Sequence, residues 1–119
     1  MAKDDYDVIV FKILTYLYAC VKRKTVFEEA AFYHAIGEIE KSYLIDILYM
    51  MKNEGLIEGV AVQKVWGTEK ILLSELRDMS ITANGIKYVS DNDKMKQIKK
   101  LLIDNIEPIT SLVMLLWPR

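Results

Sequence analysis

The sequence predicts an α+β fold that is mainly α-helical, with three helices, a β-hairpin and further helices towards the C-terminus. Apolar residues recur at helical spacing over most of the chain, whereas the stretch from 56 to 73 has the alternating pattern and turn residues of a hairpin. The 119 residues are 52% apolar and 28% charged, which are the proportions of one compact domain with its own hydrophobic core.

The first two helices are predicted before residue 34. From Asp4 to Val21 apolar residues recur at helical spacing and also cover other sides, so this helix is expected to be buried on more than one side. The pattern Thr25-x-x-Glu28 predicts a capping box, in which both side chains accept hydrogen bonds from free backbone N–H groups. A short second helix is expected from about Val26 to Tyr33.

A third helix is predicted from about Ile39 to Asn53, with Gly55 as its C-terminal stop. Its inward stripe is Leu44, Ile47, Leu48 and Met51. Because successive helix residues are rotated by about 100°, four residues are expected on the side opposite this stripe. They are Ser42, Asp46, Tyr49 and Asn53.

A hairpin and three more helical segments follow the third helix. The first strand run is Leu56-Ile57, Val60, Val62 and Val65-Trp66, and the second is Ile71 to Leu73, across Gly67-Thr68-Glu69. Met79 and Ile81 predict a further short extended piece, and Thr82 is expected to cap a fourth helix. A fifth helix is predicted from Met95, Ile98, Leu101, Leu102 and Ile106, and Pro108 starts a last apolar segment.

This order of elements is that of a winged helix-turn-helix domain, with a three-helix core, a β-hairpin wing and additional C-terminal helices. We expect residues 1–90 to form that domain and residues 91–119 to form a helical extension. Because the last segment is too apolar to lie free in water, it is expected to pack on the domain or to form a homodimer interface. The candidate interface residues are Ile109, Leu112, Val113, Leu116 and Trp117.

Three stretches of the sequence resemble one known family. Residues 55–60, GLIEGV, look like the end of a winged-helix recognition helix, and residues 81–89, ITANGIKYV, have the T-x-x-G-x-x-Y pattern of the helix behind a wing. With the opening YDVIVFKILTYL, they resemble the YjcQ family of small bacterial and prophage-encoded proteins over roughly residues 4–100. The resemblance implies a winged-helix fold, and it supplies no activity and no catalytic residues to transfer.

The outer side of the third helix, with two hairpin lysines, is the candidate contact surface for double-stranded DNA or for another protein. Its residues are Lys41, Ser42, Asp46, Tyr49, Lys52, Asn53, Lys64 and Lys70. The fold favours a DNA-binding, regulator-like function, because the third helix of such domains reads the major groove. Residues 38–58 nevertheless carry five acids and two bases. This acidic and apolar surface favours a protein-interaction adaptor that does not bind DNA, and a solvated structural helix is the third interpretation.

The clearest basic clusters are Lys22-Arg23-Lys24 and the group Lys94, Lys96, Lys99 and Lys100. Acidic residues neighbour each cluster, which favours solvated helix faces over phosphate contacts. With 16 basic and 17 acidic residues, the chain also lacks the overall positive charge of most nucleic-acid-binding proteins.

Few residues point to catalysis. His34 and Glu38 lack a third metal ligand, and Cys20 lies in an apolar helix that keeps its thiol protonated. We therefore expect no enzyme activity, no cofactor, no metal and no small-molecule substrate. A single Cys, no export signal and no apolar run of about 20 residues predict a cytoplasmic protein without membrane contact.

Overall fold

A computed structural model of the protein describes residues 2–118. Its helices are α1 (Tyr6–Val21), α2 (Glu29–Ile36), α3 (Lys41–Asn53), α4 (Ala83–Asp91), α5 (Asp93–Asn105) and α6 (Thr110–Leu116). Its strands are β1 (Ile57–Glu58), β2 (Val62–Val65), β3 (Thr68–Ile71) and β4 (Ser80–Ile81), and one turn of 3-10 helix covers Leu73–Glu75. The α+β, mainly helical winged-helix layout is confirmed.

Helix α1 is the centre of the hydrophobic core. Residues 8–17 of this helix are all buried, because α2, α4, α5 and α6 each pack against it. The expected burial on more than one side is therefore confirmed. The inward stripe of α3, from Leu44 to Met51, joins the same core.

The predicted capping box is wrong, and α2 begins three residues later than expected. The backbone N–H of Glu28 donates to the hydroxyl of Tyr16 at 3.0 Å, and that hydroxyl donates to the carbonyl oxygen of Val26 at 3.3 Å. Phe27 packs edge-on against the Tyr16 ring, with the ring centroids 5.8 Å apart. These contacts hold residues 26–28 outside the helix, so Glu28 precedes α2 without a side-chain cap.

The predicted strand run from 56 to 66 is divided between two sheets. Ile57 in β1 pairs with Ile81 in β4, whereas β2 and β3 form a separate antiparallel hairpin. Gly59, with φ of +78°, changes the chain direction between β1 and β2. Leu56-Ile57 was expected in the hairpin and lies outside it, while the extended piece at Met79 to Ile81 is confirmed as β4. The hairpin also turns earlier than expected: Val65 pairs with Thr68, so the loop is Trp66-Gly67 and the second strand is Thr68–Ile71 and not Ile71 to Leu73.

The predicted cap of α4 is confirmed. The hydroxyl oxygen of Thr82 accepts a hydrogen bond from the backbone N–H of Gly85 at 2.9 Å, and the hydroxyl donates to the carbonyl oxygen of Gly55. Thr82 thus ties the start of α4 to the end of α3. In α5, Met95, Ile98 and Leu102 are buried as expected.

Ile106 does not face inward as expected. It follows the last residue of α5 in the left-handed conformation, with φ of +54°, and its side chain is 84% exposed. The chain reverses here so that α6 returns to α1, and the left-handed residue turns its side chain outward. The hydroxyl of Thr110 donates to the carbonyl oxygen of Leu102 at 3.1 Å and so fixes the reversal.

Helix α6 packs against α1 of the same chain. Of the five candidate interface residues, Ile109, Val113 and Leu116 are buried within the chain, and Leu112 is half-buried. The ring of Trp117 stacks on that of Phe11, with centroids 6.3 Å apart. One hydrophobic cluster thus includes residues on both sides of position 90.

Lys12 gives the fold a pH-dependent contribution to stability. Its side chain is 3% exposed, and its Nζ lies 3.8 Å from Oε2 of Glu107. Burial lowers the pKa of Lys12, while the carboxylate of Glu107 opposes this shift. The unfolded chain therefore binds more protons than the folded chain between the lowered pKa and 10.5, so this contribution to stability rises with pH across that window.

Replacing Glu107 with Gln is expected to lower the free energy of unfolding at neutral pH by about 1–3 kcal/mol, because it leaves the Lys12 ammonium buried without its anion. This loss of unfolding free energy should become smaller as pH rises, because Lys12 is then deprotonated and neutral. Urea denaturation across this pH range measures the effect. Lys3 is the matched control, because it pairs with Glu107 at 3.6 Å but is 80% exposed. A Lys3→Gln variant should change little, and a Glu107→Gln loss independent of pH would contradict the assignment.

Candidate functional site

The β-hairpin folds against the third helix and forms a groove with it. Ile45, Asp46 and Tyr49 of α3 and residues 67–70 of the hairpin line this open depression of about 520 Å³. We call it the α3–hairpin groove. Ile45 and Tyr49 are half-buried because strand β3 packs against α3. The groove therefore combines apolar surface with the carboxylates of Asp46 and Glu69.

The structure brings together three of the eight predicted contact residues in this groove, namely Asp46, Tyr49 and Lys70. The hydroxyl of Ser42 is outside it and donates to Oε1 of Glu40 at 2.8 Å. Lys64 lies directly opposite Glu69 in the hairpin, so this cross-strand pair joins a positive and a negative charge. The other three, Lys41, Lys52 and Asn53, lie on α3 outside the groove lining.

The surface around the start of α3 is more acidic than the sequence of α3 indicates. The hydroxyl of Tyr43 donates to the backbone carbonyl oxygen of Asp4 at 2.7 Å, which brings the N-terminal segment beside α3. Burial, followed by the negative charges of Asp4 and Asp5, raises the pKa of Tyr43. The N-terminal acids thus add to those counted along α3, and this surface repels phosphates more strongly than expected.

Acids also lie near the end of α3. Burial and then the negative charge of Glu54 raise the pKa of Tyr6. Burial, followed by Asp7 and Glu54, raises the pKa of Tyr88. Both tyrosines therefore lie within electrostatic range of these carboxylates, and negative charge is concentrated at both ends of α3.

Trp66 at the hairpin tip is a functional candidate that sequence reasoning missed. Its side chain is 99% exposed, and its φ is +54°, followed by +82° at Gly67. Two successive positive φ values between paired Val65 and Thr68 form the type I′ turn, for which Asn-Gly is strongly preferred. Trp66 is unfavourable here because its apolar ring is exposed to water and because its backbone is left-handed. Backbone strain of this kind is found most often at functional positions. The signal in the sequence is Trp where this turn favours Asn.

The groove and its tip lie largely within the segment that a known protein family shares. The chain matches the family model described as YjcQ protein over residues 11–104. The chain belongs to the YjcQ family. Comparison with curated proteins and with solved structures finds no match. The family membership confirms the resemblance predicted from the sequence.

Burial raises the pKa of the Cys20 thiol, which keeps it protonated and weakly nucleophilic at neutral pH. Residues 2–118 contain no group of three or more His, Cys, Asp or Glu placed to hold a metal ion. Within the same residues, each helix is too short or too polar to cross a bilayer.

Proposed function

We propose that this YjcQ protein is a non-enzymatic winged-helix protein of the bacterial or prophage cytoplasm that binds a protein partner through the α3–hairpin groove. The single observation that carries this proposal is the exposed, left-handed Trp66, which directly precedes Gly67 of the groove lining. The partner is a segment with an apolar anchor flanked by Lys or Arg. No DNA is bound at this surface.

Trp66 supplies the main source of affinity. Burying a Trp side chain removes roughly 150–250 Å² from water, which is worth about 4–6 kcal/mol at about 25 cal/mol per Å², before the costs of association. Trp is also among the residues most enriched at binding hot spots. The half-buried Ile45 and Tyr49 extend this apolar contact along the groove floor.

Charge selects the kind of partner. Asp46 and Glu69 line the groove, and the carboxylates of Asp4, Asp5 and Glu54 lie near the two ends of α3. Affinity for DNA depends mainly on cations placed against phosphates, and this surface has an excess of anions. A segment that carries Lys or Arg is instead attracted by this excess of anions.

A Trp66→Asn variant separates binding from folding. Asn is favoured at this turn position, so the variant is expected to keep or raise the free energy of unfolding, by up to about 1 kcal/mol. Its affinity for peptides selected on the unmodified protein from a random displayed library should fall at least about 10-fold, because the anchor is lost. Urea denaturation and fluorescence anisotropy of labelled peptides measure the two effects.

Val26 provides the control for this experiment. It is 77% exposed and lies outside the groove, so a Val26→Ala variant is expected to keep the affinity of the unmodified protein. The selected peptides should be rich in Lys or Arg beside apolar residues. Acidic peptides, or peptides that bind Trp66→Asn as tightly as the unmodified protein, would show that the proposal is wrong.

DNA binding remains the second candidate function, and one observation favours it. Lys22, which follows α1, and Lys99 of α5 are connected through the neighbouring rings of Tyr18 and Trp117.

A further inference from the structure

One lysine from each of the two basic clusters lies over an aromatic ring, and these two rings are neighbours. The Nζ atom of Lys22 lies 5.5 Å from the centre of the Tyr18 ring, and that ring lies 5.9 Å from the Trp117 ring. The Nζ atom of Lys99 lies 5.1 Å from the centre of the Trp117 ring on another side. A continuous series of short contacts thus connects the end of α1 with α5, across 77 positions of sequence between the two lysines.

The neighbours of these lysines enlarge the basic area. We call it the basic surface, and it consists of Lys22, Arg23, Lys24, Lys96, Lys99 and Lys100. Lys96 and Lys100 are exposed on α5, about 60° and 100° around the helix from Lys99, on a side that also carries Asp93 and Asp104. Within residues 2–118, none of the six has a carboxylate partner within 4.0 Å.

We infer that the basic surface binds the phosphate backbone of duplex DNA without reading its sequence. The inference is independent of the proposed function, since it uses other elements of the chain. Six unpaired cations provide about six phosphate contacts, which is the lower end of the range for strong binders. Contacts of this kind position a protein on DNA but carry no sequence information.

The aromatic rings orient the cations and do not offer a stacking platform for bases. The Trp117 ring is flanked by Phe11, Tyr18 and Lys99. An ammonium held over a ring is already positioned, so it loses less side-chain freedom when it meets a phosphate. Single-stranded nucleic acids instead require open ring faces, and lipid surfaces require apolar side chains that can insert. The apolar centre of this surface, Trp117, is packed within the chain.

The test is a salt titration of full-length protein on a short mixed-sequence duplex. With about six phosphate contacts, affinity should fall about 1000-fold between about 50 and 200 mM salt. A Lys96→Gln, Lys99→Gln, Lys100→Gln triple variant should reduce the slope of log affinity against log salt by about three. Reversal of the same three lysines to Glu should abolish binding. Fluorescence anisotropy of a labelled duplex measures both results.

The matched control removes three cations from the α3 and hairpin surface. A Lys41→Gln, Lys64→Gln, Lys70→Gln variant has the same net charge as the first triple variant, and its salt slope should equal that of the unmodified protein. An Arg23→Gln, Lys24→Gln variant should lower the slope by about two. It tests the basic surface without altering the contact between Lys99 and Trp117.

Several outcomes would overturn the inference. They are equal losses from the two triple variants, no binding to the duplex at low salt, and binding to phosphatidylserine vesicles in its place. Trp66→Asn should leave duplex binding unchanged, so failure here and failure of the proposed function are distinguishable. Urea denaturation of each variant checks that the fold is intact.

Discussion

Deleting residues 108–119 is expected to yield an insoluble chain or one without a cooperative unfolding transition. The deletion removes the buried Ile109, Val113 and Leu116 and uncovers Phe11, on which Trp117 stacks. Each fully buried aliphatic side chain is worth about 1.5–3 kcal/mol, and domains of this size have only about 5–15 kcal/mol of total stability. Circular dichroism during urea denaturation and the mass in solution measure the result.

Two residues of α6 provide a graded version of this experiment. Val113 is 0% exposed and Leu115 is 50% exposed on the same helix. A Val113→Ala variant is expected to lose about 1–3 kcal/mol, whereas Leu115→Ala should lose little. A soluble truncation that unfolds cooperatively and keeps the oligomeric state of the full-length protein would contradict both a structural and an oligomeric role for the segment. If the Leu115→Glu variant has a smaller oligomer mass in solution than the unmodified protein, a second copy of the chain covers α6.

Local patterns in the sequence predicted most elements because their causes are local. The stripe from Leu44 to Met51 and the cap at Thr82 depend on residues within one helix, and both are present. The capping box at Thr25 failed because a distant group intervened. The hydroxyl of Tyr16 accepts a hydrogen bond from the backbone N–H of Glu28, and local helix propensity does not include this tertiary contact.

The candidate sites were less predictable because they depend on packing between distant segments. The acidity of the α3 surface includes Asp4, which reaches α3 only through the hydrogen bond from Tyr43. The basic surface exists because α6 places Trp117 between Tyr18 and Lys99. The turn at Trp66 was also missed, because Trp66 was assigned to the first strand and the loop to residues 67–69, although the unusual residue is visible in the sequence.

Replacing Gly59 with Ala is expected to lower the free energy of unfolding by roughly 2–5 kcal/mol, which combines backbone strain with steric overlap. Gly59 has φ of +78°, and an added Cβ would overlap the backbone carbonyl oxygen of Asp78. That carbonyl has little freedom to move, because the next residue, Met79, donates its N–H to Leu76 at 2.9 Å and leads directly into β4. The overlap would therefore strain the β1–β4 pair and the base of the hairpin together.

Gly37 separates the two causes of this loss. Its φ is +83°, but an added Cβ would have no neighbour within 4 Å among the described residues. Gly37→Ala should therefore cost only the backbone strain, about 1–3 kcal/mol, because its ψ of −178° places it in a region that is essentially restricted to glycine. Urea denaturation of both variants gives the difference, which measures how tightly the link between β1 and β2 packs on residues 78–79. Equal losses would show that strain alone matters, and that the position of the hairpin against α3 does not depend on this close approach.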